Sequence, residues 1–298
     1  MSLIWGSVSG SGVREVQMMN EPAPAKSAVR LFAIDVDGTL LDSSHRLKTV
    51  VRDAVCRLAA SGVQVVLATA RGPQAVRDIV RQFDFSPSLI GFSGAWIGEL
   101  DARSLQSKNV RSDERIPAAR ARSILSTAIF HDLEPNVFTP ESWRIRTMTQ
   151  EILDECAIVN LRPIETTELM TTEEEPSKIM LISRPDQVAA LKQIEESVRA
   201  DATATFSKSN YLEILPAGVN KAKALMALAS ALRVELADVA AIGDAPNDLE
   251  MLNAVGFAIA MGNASDRVKS VADLVVGTND SAGVAEAVDK ILNRSRRD

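Results

Sequence analysis

The chain has 298 residues, 46% hydrophobic and 24% charged, with a formal charge of −6. That length suits one large or two ordinary globular domains, and no apolar run approaches the ~18 residues of a membrane span, which excludes a helical membrane protein. The acidic balance argues against a nucleic-acid partner, whose usual footprint is a basic face, and leaves small anionic substrates open because the local field outweighs net charge.

Residues 1–28 have linker composition ("SVSGSG", "EPAPAKSA") and are read as a mobile leader or tag. From Val29 the pattern alternates. "VRLFAI" predicts a buried strand, and Leu47, Val50, Val51, Ala54, Val55 and Leu58 recur at helical spacing up to Gly62, a C-cap. "VQVVLA" (63–68) is a second strand, and Pro73 opens a helix with Val76, Ile79, Val80 and Phe83 on its apolar stripe. "SLIGFS" (88–93) is a third strand, so the order implies a parallel sheet. Between 95 and 215 the strands shorten ("WIGEL", "VFTP", "WRIRT", "KIMLIS", "TATFS", "YLEIL") around helices at 117–132 and 186–199, which predicts an inserted α+β unit with a largely antiparallel sheet. The acidic "TTEEEPS" (171–177) is expected to be a loop inside it. After Gly218 the first style resumes: a helix at 221–233, strand "VAAIG" (239–243), a short helix from Asn247, strand "GFAIAM" (256–261), "ADLVV" (272–276) and a last helix from Ser281. The fold class is therefore α/β: a Rossmann-like parallel core with helices on both faces, 29–94 plus 216–298, interrupted by an α+β cap at 95–215. Cys56 and Cys156 sit in segments of helical apolar spacing without metal-ligand spacing, so reduced thiols and a cytoplasmic setting are expected.

Parallel α/β sheets bind ligands at the carboxyl ends of their strands. Strand one ends in Asp35, Asp37 and Thr39, strand two in Thr69, Ala70, Arg71 and Gly72, and "VAAIG" in Asp244, Asn247 and Asp248, while Lys221 opens the helix before it. Acids converging in a cleft repel one another and call for a cation, and an all-oxygen set selects a hard ion such as Mg²⁺. Phosphoryl transfer suits this set. One carboxylate attacks phosphorus, an acid two residues later moves the proton, Lys221 balances charge, and Thr69 with the backbone N–H groups after Asp35 holds phosphate oxygens. A lysine in a first helical turn opposes the helix dipole and wants an anion nearby.

"DVDGTLL", "LATARG", the lysine of "GVNKAKAL" and "GDAPNDLEML", in that order, resemble the four motifs of the haloacid dehalogenase superfamily. The insertion point, the "MGNA" at 261–264 and the length resemble its Cof-type sugar-phosphatase branch with a type-two α/β cap. The resemblance implies Asp35 as nucleophile, Asp37 as general acid/base, and Thr69 and Lys221 on the phosphate side. It implies Asp244 as a direct metal ligand, Asp248 as a ligand through water or a support for Lys221, and Asn247 as a shell contact. Asp35 and the backbone carbonyl of Asp37 complete the metal set, and Gly38, Thr39, Ala70 and Arg71 join Asn247 in the phosphate-binding set. The expected activity is Mg²⁺-dependent hydrolysis of small phosphomonoesters, sugar phosphates first, through an aspartyl-phosphate, by a monomer or homodimer. A phosphotransferase or phosphomutase, or a non-catalytic phospho-accepting module, is the alternative. The sequence departs from the family's usual "TGRP" and Asn-Gly-Ala at Thr69–Gly72 and Ser93–Ala95, which bears on substrate preference.

Plainer roles stand beside these. Asp35 and Asp37 could cap a turn, Thr69, Asp244, Asn247 and Asp248 could satisfy free helix N–H groups, Lys221 could be a solvated surface charge, and Arg71 a structural or rim charge. Asp42 reads as a loop acid. His45 and His131 show no partner by spacing, and Arg144 and Arg146 share one face of a cap strand.

Overall fold

Strand β1 (Leu31–Asp35) lies in the interior of the structure, a computed structural model that describes residues 28–294. The leader expected at 1–28 falls, but for Ala28, outside the described residues. Both faces of β1 are covered. Phe32 and Ile34 join a cluster with Val51, Val55, Val284 and Val288, while Leu31 and Ala33 join another with Leu225, Leu228, Met251 and Val268. That is the period-two alternation of a strand sandwiched between helix layers, with each large side chain contributing roughly 1.5–3 kcal/mol on burial.

The chain continues through α1 (Thr49–Ala60), β2 (Gln64–Ala68), α2 (Arg77–Val80), β3 (Ser88–Gly91), β4 (Trp96–Leu100) and β5 (Ser107–Asp113). An inserted stretch follows: α3 (Ala118–Phe130), β6 (Glu134–Phe138), β7 (Trp143–Ile145), α4 (Gln150–Val159), β8 (Ile164–Glu165), β9 (Lys178–Ile182), α5 (Val188–Val198), β10 (Ala202–Lys208) and β11 (Tyr211–Pro216). The last stretch is α6 (Lys221–Ala231), β12 (Val239–Gly243), α7 (Leu249–Asn253), β13 (Phe257–Ala260), α8 (Asp266–Lys269), β14 (Leu274–Val275) and α9 (Gly283–Arg294).

One sheet has the order β14-β13-β12-β1-β2-β3-β4-β5, parallel from β14 to β3 and antiparallel beyond. The second has the order β10-β11-β9-β6-β7-β8, antiparallel except between β7 and β8. In the first sheet the chain leaves β1 toward β2 on one side and returns to β12 on the other. The carboxyl end of β1 is thus a topological switch point, where a crevice opens.

Three elements correct the sequence reading. The insertion was expected from residue 95, but "WIGEL" turns back as β4 and pairs with β3, Ile90 opposite Ile97, burying Trp96 and Leu100 in the first sheet's core. The reversal is made at Ser93 (φ 53°) and Gly94 (φ 114°), both left-handed. Strand β5 extends this edge. Its sequence, "SKNVRSD", is polar and largely exposed, so it carries no apolar alternation to read. The helix from Pro73 is a 3-10 turn followed by the four-residue α2, and it stops short of Phe83. Cys156 does lie in a helix, α4, which had not been placed as an element. Among the described residues no helix is long and apolar enough to cross a membrane.

Candidate active site

Asp35 shares its parity on β1 with Leu31 and Ala33, so its side chain faces the α6 layer. There Lys221, the first residue of α6, is buried at 2% exposure, and its Nζ donates to Asp35 Oδ1 (2.6 Å) and Asp248 Oδ1 (2.7 Å). Asn220 caps the same helix, its Oδ1 accepting from Lys223 N at 2.7 Å. Burial pulls the Lys221 ammonium down. The Asp248 and Asp35 carboxylates outweigh that and hold it above the usual lysine range. Burial, followed by the Asp248 charge, pushes the Asp35 carboxyl well above its ordinary value, against the pull of Lys221.

Asp248 is fully buried, and its Oδ2 accepts from the backbone N–H groups of Asp244 (3.2 Å) and Ala245 (3.1 Å). It therefore braces Lys221 and the loop after β12 together. Asp244 Oδ1 accepts from Thr39 Oγ1 at 2.9 Å, which occupies the hydroxyl expected to hold phosphate. Gly38, at φ 81°, leaves the room: a Cβ there would lie 2.4 Å from Asp244 Oδ2. Asn263 from "MGNA" donates to the Gly38 carbonyl at 2.8 Å, and its Oδ1 accepts from Asn279 N at 2.9 Å. It ties a third segment to this corner, a part the sequence reading had not assigned. Burial and Asp248 push the Asp244 carboxyl up to about 6, with the Thr39 hydrogen bond opposing. One carboxylate oxygen each of Asp35, Asp244 and Asp248 lies within 4.8 Å of the others, so these three could hold a metal; the Asp37 carboxylate is not in the cluster.

Asp37 faces Arg71 instead. The guanidinium forks onto both carboxylate oxygens, Nε to Oδ2 at 2.8 Å and Nη2 to Oδ1. Burial raises the Asp37 carboxyl, but the Arg71 hydrogen bonds and charge, with His45 adding, hold it below the usual range. His45 Nδ1 lies 3.6 Å from Asp37 Oδ1, so a histidine expected without a partner has one. Arg71, expected among the phosphate contacts or as a structural or rim charge, is buried and also donates to the carbonyls of Ala75 (3.4 Å) and Ile158 (3.3 Å), the latter near the end of α4.

Thr69 is buried, and its Oγ1 accepts from Arg71 N at 3.1 Å. Thr69, Ala70, Asp35, Asp37 and Asn247 line one cleft of about 260 Å³, whose other wall is Phe138, Trp143, Met180 and Tyr211 from the second sheet. The Asn247 side chain makes no hydrogen bond to another described residue. Arg144 is turned to Glu174 (2.6 Å) and does not line this cleft. Two lining residues escaped the sequence reading. Lys178 Nζ donates to Glu213 Oε2 (3.1 Å) and to the Ala70 carbonyl (3.2 Å). The available signal was a charge at an inward position of each apolar strand, in "KIMLI" and "YLEILP". Asp42 is a turn acid as expected, its Oδ1 accepting from Ser44 N (2.9 Å) and Arg46 N (3.0 Å).

A family model described as haloacid dehalogenase-like hydrolase matches residues 32–288. The chain is 30% identical over 261 residues to an HMP-PP phosphatase of Yersinia pseudotuberculosis, covering 86% of this chain and 93% of that one. Among solved structures it resembles a haloacid dehalogenase-like hydrolase from B. subtilis, with TM-score 0.76, 28% identity, and 88% and 99% of the two chains covered. One from Bacteroides thetaiotaomicron shares the fold with TM-score 0.79 at 24% identity, over 88% and 99% of the chains. The chain belongs to the haloacid dehalogenase-like hydrolase family.

Proposed function

We propose that this phosphatase hydrolyses small phosphomonoesters through an aspartyl-phosphate on Asp35, with Mg²⁺ bound. The observation that carries the reading is the buried Asp35–Lys221–Asp248 chain at the switch point, which among the described residues leaves Asp35 Oδ2 without a hydrogen bond while Oδ1 is held. That oxygen attacks phosphorus, the ester P–O bond breaks, and the leaving alkoxide takes a proton from Asp37. Asp37 then takes a proton from water, the hydroxide attacks the same phosphorus, and inorganic phosphate leaves with Asp35 restored. Arg71 keeps Asp37 ionised, which is the state the second step needs; the first step requires the fork to open so that Asp37 carries a proton. The insertion, with its aromatic wall facing Asp35, is the cap that excludes water and reads the leaving group.

The donor set fits a hard divalent ion. Three carboxylates converge beside one ammonium, which is bonded to two of them, and burial with the Asp248 charge pushes Asp244 up to about 6. Asp35 and Asp244 would hold Mg²⁺, with Asp248 behind them; the ion supplies charge neutralisation for the phosphoryl oxygens. A consequence is measurable. Because the Asp244 carboxyl is raised from 3.8 to about 6, the ion-free native state binds more protons than the unfolded chain in that window and loses stability as pH rises through it. A cation reverses the sign, so the Tm gain from Mg²⁺ is larger at about pH 7.5 than at about pH 5. Equal gains at the two values would remove Asp244 from the site.

The mechanism is tested by quenching a turnover mixture in acid and locating the phosphoryl group by mass spectrometry. It is expected on the peptide carrying Asp35; a phosphoryl group on another residue overturns the assignment.

A further inference from the structure

Two cavities meet at the candidate site, and its residues divide between them. Asp35, Asp37 and Thr69 line the front cleft of about 260 Å³ and not the second cavity. Lys221 lines the second, a back groove of about 570 Å³, and not the first. Ala70, Ala245 and Asn247 line both, so the cavities join at the loops that follow β2 and β12. A tie between the two sheets stands at this junction. Lys178 Nζ donates to the Ala70 carbonyl (3.2 Å) and to Glu213 Oε2 (3.1 Å), and Ala70 and Glu213 belong to both cavities.

The two walls differ. Toward the second sheet the front cleft presents Phe138, Trp143, Met180 and Tyr211, with Glu155 and Lys208 bonded to each other at 3.2 Å. The back groove runs along β10, the edge strand of that sheet. Thr203, Thr205 and Ser207 share one parity on β10 and all line the groove. Thr203 Oγ1 accepts from Gly218 N at 3.0 Å. The Thr205 and Ser207 hydroxyls make no hydrogen bond to another described residue. Opposite stand Asn220 and Lys223 at the start of α6, then Asn247 and Glu250.

In-line displacement at phosphorus uses two opposed positions. On the phosphatase reading these are Asp35 and the ester or water oxygen beside Asp37, so both alcohol and water need the front cleft. The other phosphoryl oxygens turn aside, toward Lys221 and Asn247, which open onto the back. A phosphate dianion moving out past the aromatic wall would give up hydration without replacement. Along the back, hydroxyls, amides and the Lys223 ammonium replace its water. The groove does not trap the ion, because Glu213 is paired with Lys178 and Glu250 has no ion pair among the described residues. A route has to offer hydrogen bonds without holding what passes.

We propose that the back groove is the exit route of inorganic phosphate, separate from the front cleft that admits the ester and releases the alcohol. This rests on the aspartyl-phosphate reading of Asp35 and adds a path for its second product. The tie through Lys178 then stays closed while phosphate leaves.

The test is a single turnover of 4-nitrophenyl phosphate with Mg²⁺ and excess enzyme. Nitrophenolate absorbance follows the first step, acid quenching follows the aspartyl-phosphate, and a fluorescent phosphate-binding protein follows free phosphate. Thr205→Trp places an indole in the groove from an exposed position that does not line the front cleft. Nitrophenolate release and aspartyl-phosphate decay keep the parent's rates, and the interval from decay to free phosphate lengthens about 10-fold or more, which is ~1.4 kcal/mol of added barrier. Lys223→Glu, favourable in a first helical turn, also lengthens the interval, and by less as salt is added. Ser126→Trp, exposed on α3 and lining neither cavity, keeps the parent's interval. An interval unchanged in both groove variants, or lengthened equally in Ser126→Trp, overturns the route. So does a lag that lies in aspartyl-phosphate decay. A parent that never carries phosphate on Asp35 sinks the phosphatase mechanism instead.

Discussion

Replacing Lys221 by methionine destabilises the ion-free protein by about 3–5 kcal/mol and abolishes turnover. Among the described residues the ammonium is the single cation bonded to Asp35 and Asp248, both buried, and its removal leaves two carboxylates facing each other without compensation. The size of the effect follows from that asymmetry, since breaking a buried pair costs far more than the pair contributes. Urea unfolding at neutral pH measures it. Adding Asp248→Asn to the variant recovers part of the loss, because one stranded charge is gone. The pH dependence has a definite sign. With its folded value raised, Lys221 contributes stability that is lost only as pH rises through that value, above the usual lysine range, so the parent shows no such loss near neutrality. In the variant the deficit shrinks as pH falls, because Asp35, whose carboxyl burial already holds above its ordinary value, can take up a proton. An unfolding midpoint equal to the parent's would show that the buried triad contributes nothing.

Asp35→Asn lowers phosphate release by about 10⁴-fold or more and leaves the chain folded. The amide nitrogen and oxygen occupy the carboxylate's place but provide no nucleophile, while Lys221 keeps its 2.7 Å bond to Asp248. Burial already disfavours the Asp35 charge, so its removal relieves desolvation as it loses the ion pair. The matched control is Asp42→Asn. Asp42 is as buried as Asp35, each at 6% exposure, yet its Oδ1 serves the Ser44 and Arg46 backbone N–H groups. Turnover within a few-fold of the parent is expected there. Similar activity in the Asp35 and Asp42 variants would refute the assignment of the nucleophile.

These residues were legible because chemistry at a parallel-sheet switch point is written at strand ends. Asp35, Lys221, Asp244 and Asp248 are carried there by strands and a helix whose apolar patterns are unambiguous. Arg71 was legible as a residue but not as a partner: its target Asp37 lies 34 positions away, and only the fold aligns the two planes. The polar strand β5 was hidden for another reason. It is an edge held by backbone pairing to β4, which has no signature in side-chain alternation. Lys178 and Glu213 were hidden in plain view. A charge inside an apolar strand reads as an exposed face until a second charged strand is placed beside it, and here β9 and β11 are neighbours only by topology.

The position of β1 between β2 and β12 has a consequence for how the molecule is made. As the ribosome delivers the chain from its amino end, β1 and β2 are available together, whereas β12 begins only at Val239, after the whole insertion. Until then one edge of β1 offers its N–H and C=O groups to any passing strand, and Asp35 lacks the loop that holds Asp248, while Lys221 too follows the whole insertion. The proposed nucleophile is therefore assembled last. A nascent chain truncated before the third motif carries the first motif intact and cannot use it, so it is sticky before it is catalytic, and holding that edge apart from other nascent chains is a task for chaperones.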